Sequence, residues 1–98
     1  MADPKKDTLK TLTATGLITD RACLIRSICG LGITDATNVF GVYNGFNTNG
    51  DPKFRLTALG YTADFRSFPD PLYFPNGCYI DFTTNGAECF VQFYETDQ

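Results

Sequence analysis

Histidine and tryptophan are absent from the 98 residues, and methionine occurs once. The missing imidazole removes the usual general base, the commonest transition-metal ligand and every Ser-His or Cys-His nucleophile pair. An enzyme is therefore not expected. Long apolar runs are also lacking: Ala22 to Ile25 and Cys89 to Val91 fall far short of the ~20 residues that span a bilayer, so no membrane partner is expected. Positive charge does not prevail. Eight Lys and Arg against eleven Asp and Glu leave a net charge of −3 and a pI near 4.6. That is the wrong sign for a chain that lies along phosphates, and nucleic acid is set aside. Met1 to Asp7 is polar and leads into no continuous apolar stretch, so it does not read as a secretory signal, and synthesis in the cytoplasm is expected.

What is present fits one domain: 10.8 kDa, 43% hydrophobic and 14% aromatic. Four cysteines stand at positions 23, 29, 78 and 89. Without a signal, reduced thiols are expected. Cys23 and Cys29, six positions apart in one expected strand, stand roughly 20 Å apart, beyond disulfide reach. Their spacings match no zinc ribbon or finger, so the four read as buried free thiols, with no metal and no cofactor.

All fourteen aromatic residues fall between Phe40 and Tyr94, and Gly and Pro punctuate the chain at the rhythm of an all-β domain. No window of helical length keeps apolar residues at helical spacing. Strands are predicted at Thr11 to Thr15, Ala22 to Cys29, Thr37 to Tyr43, Phe54 to Leu59, Tyr61 to Phe68, Gly77 to Thr83 and Ala87 to Tyr94. The expected architecture is a single antiparallel β-sandwich or small jelly-roll-like barrel of about seven strands. Residues 1–10, charged and carrying Pro4, are expected as a flexible or extended arm before a sandwich of residues 11–98.

Asn85-Gly86 is the preferred two-residue type I′ hairpin turn, and it separates two alternating runs. A hairpin there pairs Phe82 with Cys89, Ile80 with Val91 and Cys78 with Phe93, all on one apolar face. That face calls for a second covering layer. The opposite face collects Tyr79, Phe90, Gln92 and Tyr94 into an aromatic stripe that is either a partner surface or covered by the chain's own Phe65 to Phe74 segment. Arg21, Arg26, Arg55 and Arg66 offer donors for an interface or simply keep the surface soluble. Asp64, Asp70 and Asp81 are scattered carboxylates that nothing in the sequence brings across a cleft. Asn47-Thr48-Asn49-Gly50-Asp51 lacks the leading Asp and distal Glu of a calcium loop and reads as a polar loop.

The run Leu72-Tyr73-Phe74-Pro75-Asn76-Gly77-Cys78-Tyr79-Ile80-Asp81-Phe82, the Asn85-Gly86 turn and the closing Phe90-Val91-Gln92-Phe93-Tyr94 resemble the small β-sandwich structural proteins of tailed bacteriophages. Thr13-Ala14-Thr15-Gly16-Leu17-Ile18 and Phe40-Gly41-Val42-Tyr43-Asn44-Gly45 resemble their earlier Thr-Gly and aromatic-Asn-Gly elements, so the likeness covers about residues 11 to 94. The four cysteines, the Asn-rich loop and the first ten residues depart from that pattern. The resemblance implies a virion protein on the capsid outer surface: a decoration or cement protein bound to the major capsid protein, a homo-oligomer with a trimer favoured, and no catalytic residues. Lys5, Lys6 and Lys10 are the candidate arm contacts, and Tyr79, Phe90, Gln92 and Tyr94 the candidate interface. The alternatives are a phage tail or head-tail connector subunit, or a small soluble carbohydrate- or peptide-binding module.

Overall fold

The computed structural model describes residues 7–48, 50–83 and 87–96. Eight strands carry it: β1 (Thr8–Leu12), β2 (Gly16–Thr19), β3 (Cys23–Gly32), β4 (Thr37–Asn44), β5 (Phe54–Leu59), β6 (Ala63–Phe74), β7 (Cys78–Phe82) and β8 (Ala87–Glu95). They form two four-stranded antiparallel sheets, ordered β1-β8-β3-β6 and β2-β7-β4-β5. First pairs with last, second with seventh, third with sixth and fourth with fifth. This nested pairing, split alternately between two sheets, is the eight-stranded jelly roll.

The all-β sandwich expected from the sequence is what the chain forms, with eight strands where about seven were predicted. The extra strand arises at the start: Thr8–Leu12 and Gly16–Thr19 are separate strands in different sheets, and Thr13 to Thr15 is the bend between them. Thr8, Leu9 and Lys10, expected within the arm, pair with β8 as part of β1, and residues 1–6 lie outside the described residues.

The hairpin predicted across Asn85-Gly86 is not formed. Residues 84–86 lie outside the described residues, but β7 pairs with β2 and β4, whereas β8 pairs with β1 and β3. The chain crosses from one sheet to the other. Ile80 thus lies between Gly16 and Val42 in its sheet, and Val91 between Lys10 and Ile28 in the other. The face assignment nevertheless holds: Cys78, Ile80, Cys89, Val91 and Phe93 are all buried. Alternation says which face of a strand is apolar, and two such faces satisfy each other as well across a sandwich as side by side.

The core between the sheets is built from Ile25, Ile28, Phe40, Val42, Leu56 and Phe74 together with those β7 and β8 rows. Phe82 meets Phe40 edge to face at 5.0 Å. A bulge at Arg26 resets the phase of β3, because Ile25 pairs with Phe93 while Ser27 pairs with Gln92. Ile25 and Ile28 both point inward as a result. Opposite the bulge, β6 makes an excursion over Phe68, Pro69, Asp70 and Pro71. Prolines are tolerated there because β6 is an edge strand. Phe68 packs on Phe54 across the corner at 5.9 Å.

Both open corners of the sandwich are closed by a charged side chain. At one, Lys10 Nζ on β1 donates to the Ile18 carbonyl of β2 at 3.2 Å. At the other, the Thr57 N–H of edge strand β5 donates to Asp64 Oδ2 on β6 at 3.0 Å. Arg66 holds the same carboxylate through Nε at 3.1 Å and Nη2 at 3.2 Å. Close backbone approach does the rest at Gly32, where an added Cβ would meet the Gly60 carbonyl oxygen at 1.9 Å.

Two outcomes follow from this packing. Gly32→Ala forces backbone apart and is expected to cost about 3 kcal/mol in urea unfolding; an unchanged midpoint would contradict the close approach. The Arg66 guanidinium first, and the Thr57 N–H with it, holds Asp64 below the usual carboxylate range against the opposing effect of burial. A group with a lowered folded pKa adds stability above its unfolded value near ~4 and loses it as pH falls through the folded value. The melting temperature of Asp64→Asn should therefore fall less steeply than wild type below about pH 4.

Candidate functional site

The side of an antiparallel sheet that faces water is ordinarily polar. The outer face of β1-β8-β3-β6 is not. Across its middle run Thr11, Phe90, Cys29 and Phe65, neighbours in the ladder from β1 to β6. Toward one end Tyr94, Leu24 and Tyr73 form a second row. Toward the other, Glu88, Leu31 and Ala63 form a third. Gly32 N donates to Thr62 O at 2.9 Å, so Ile33 and Tyr61 extend the β3 and β6 columns past the last ladder pair. Leu9 adds an exposed aliphatic group on β1 opposite Gln92. Of the seven large hydrophobic residues exposed among the described residues, Leu9, Ile33, Tyr61, Phe65 and Tyr73 belong to this face.

One polar chain crosses the face. Arg26, pushed outward by the bulge, donates from Nε to Asp7 Oδ1 at 2.8 Å and lies over the Tyr94 ring at 5.0 Å. Gln92 Nε2 donates to Asp7 Oδ2 at 2.9 Å, and Ser27 Oγ donates to Gln92 Oε1 at 3.2 Å. These bonds link the four side chains into one chain, with the other N–H groups of the half-exposed Arg26 facing solvent.

The predicted stripe is therefore split. Phe90, Gln92 and Tyr94 share this face, but Tyr79 belongs to the other sheet, between Leu17 and Tyr43 on its outer side. The error follows from the hairpin assumption: strands in different sheets turn their outward residues to opposite sides of the molecule. Nor does the Phe65 to Phe74 segment cover the stripe, since it is β6 in the same sheet. Lys10 is engaged at the sandwich corner, and Lys5 and Lys6 lie outside the described residues. Arg21 pairs with Glu95 at 3.7 Å, as Arg26 does with Asp7 and Arg66 with Asp64; Arg55 is exposed on β5.

Sequence reading missed Phe65, Tyr73, Leu24, Leu31 and Cys29 as residues of the same face as Phe90. The signal is present in Tyr61-x-Ala63-x-Phe65, an apolar period of two within the strand predicted at Tyr61 to Phe68, whose sheet the sequence does not name. Among the described residues no three Cys, Asp or Glu side chains converge where a metal ion would be held. Asp81 lies near Thr15 on the other sheet, away from Asp64 at the β5–β6 corner. Compared with known proteins, the chain matches no family model, no curated protein and no solved structure.

All four thiols are free, but they differ in setting. Burial pushes Cys23 up to about 11, with Glu95 adding to it, and Cys89 up to about 12. Cys78 is raised well above its ordinary value by burial in the core. Cys29 alone is partly exposed, its thiol raised by burial and by Asp64. A short iodoacetamide pulse on native monomer followed by mass spectrometry should label Cys29 alone, the other three reacting only after denaturation. Labelling of Cys89 at a comparable rate would contradict the core placement.

Proposed function

We propose that the chain is a non-enzymatic structural subunit of a virion, a capsid decoration or cement protein that stabilises a shell by burying apolar surface against protein. The observation that carries this reading is the aromatic outer face of β1-β8-β3-β6. Monomeric soluble proteins rarely leave such a contiguous patch open, and a patch of this kind marks a docking surface. The jelly roll agrees with the reading without selecting it, because viral capsid domains, lectins and cupins share the architecture. The resemblance to phage structural proteins supplies the major capsid protein as partner.

The work is done by binding energy. Subunits that bind an assembled shell and not its dissociated parts shift the assembly equilibrium by mass action. Many weak contacts repeated over the lattice sum to a large effect. The exposed rings of Phe65 and Tyr73 favour a second reading, a platform for stacking a carbohydrate, which a melting shift on adding oligosaccharides would reveal.

The test uses purified shells of the virus that encodes the chain. Added protein should cosediment with them and raise the temperature at which they dissociate. Phe65→Glu, at a side chain 63% exposed, should keep the subunit's own melting temperature and lower shell occupancy about tenfold. No cosedimentation by wild type would overturn the proposal.

A further inference from the structure

We infer that the aromatic face receives main-chain carbonyl oxygens of its partner on the guanidinium of Arg26, so that this one side chain sets what the face will accept. The inference rests on the capsid-docking reading and names the chemistry the shell must present to it.

Arg26 stands in the bulge of the inner strand β3, between the row of Leu24, Tyr94 and Tyr73 and the row of Cys29, Phe90 and Phe65. Its side chain is 45% exposed, so a docked partner must meet it. A guanidinium carries five N–H donors and accepts nothing. Nε spends one on Asp7 Oδ1 at 2.8 Å, and among the described residues the four on Nη1 and Nη2 meet no acceptor. The fork is nevertheless held in place, by the Asp7 bond on one side and by the Tyr94 ring, whose centroid lies 5.0 Å from Cζ. Arg66 differs, since it turns to the β5–β6 corner and gives both Nε and Nη2 to Asp64. Gln92 makes no such demand either, being bonded to Asp7 and Ser27.

Covering the face changes what those four donors cost. In the free subunit water takes them; under a partner, the apolar rows on both sides shut water out, and each N–H left unpaired keeps its full desolvation penalty. The partner therefore has to supply acceptors at that point. Charge decides their kind. Asp7 already balances Arg26, and a carboxylate from the shell would bury a second negative charge against one positive, on a chain that carries −3. A peptide carbonyl accepts the same hydrogen bonds and adds no net charge. Unpaired carbonyls come several together at a helix C-terminus, whose dipole also favours a cation. A surface that is apolar throughout strands the fork and is discriminated against.

Titrating purified shells of the encoding virus with the full chain, at one fixed ionic strength, reads affinity by cosedimentation. Arg26→Lys keeps the charge beside Asp7 and loses the planar fork, so it should bind about tenfold more weakly. Asp7→Asn, close in shape and outside the bulge, leaves the guanidinium charge unbalanced. Against carbonyl oxygens that variant should bind several-fold more weakly, because an uncompensated charge is then buried; against a carboxylate it would bind more tightly. Melting temperatures are read first, and if Arg26→Lys melts low, Asp7→Asn alone decides. Wild-type affinity in a folded Arg26→Lys overturns the inference, and so does an Asp7→Asn that binds as well as wild type or better. Where Phe65→Glu weakens binding and these two do not, the docking reading stands and this inference alone falls; no cosedimentation by wild type removes both.

Discussion

The apolar layer between the two sheets is the feature on which the rest of the molecule depends. Among the described strands only β4 and β5 are both consecutive in the chain and paired in the ladder. Elsewhere, consecutive strands alternate between sheets, and their ladder partners come from distant parts of the sequence. No local hairpin sets the order of the strands. Burial does, since each crossing turns one apolar face toward the opposite sheet. The Arg26 bulge serves the same end by letting both Ile25 and Ile28 reach that layer.

The rim is solved by charge rather than by apolar packing. Lys10 and Asp64, from the outer strands of one sheet, each satisfy a backbone group on the outer strand of the other. Such groups otherwise invite another chain to add a strand. With the corners closed and β6 broken by two prolines, the edges are poor sites for contact.

The two outer faces diverge from this common frame. On β2-β7-β4-β5, Tyr43 folds back over Gly41, and Asp81 and Arg55 flank that glycine in the ladder. That face is half polar and partly closed on itself. The outer face of β1-β8-β3-β6 carries rings and aliphatic chains with only the Asp7, Arg26, Gln92 and Ser27 chain to interrupt them. The proposed docking would use this asymmetry, with one side to be covered and one to meet water.

The amino-acid order alone determined the class of fold, the free thiols in strands and the inward rows at Cys78, Ile80, Cys89, Val91 and Phe93. A period of two in apolarity fixes which side of a strand leaves water, whatever its neighbours. The same order placed Phe90, Gln92 and Tyr94 outward. It did not show that Tyr79 belongs to the other side of the molecule, nor that Phe65 and Tyr73 complete the face. Those depend on which sheet each strand joins, and Phe65 and Tyr73 are joined in one strand only by a run through Pro69 and Pro71 that reads as a turn. Tertiary structure alone decided sheet membership, because an alternating strand is equally satisfied beside its chain neighbour or across the core from it. The choice between the two is made by the packing of all eight strands together.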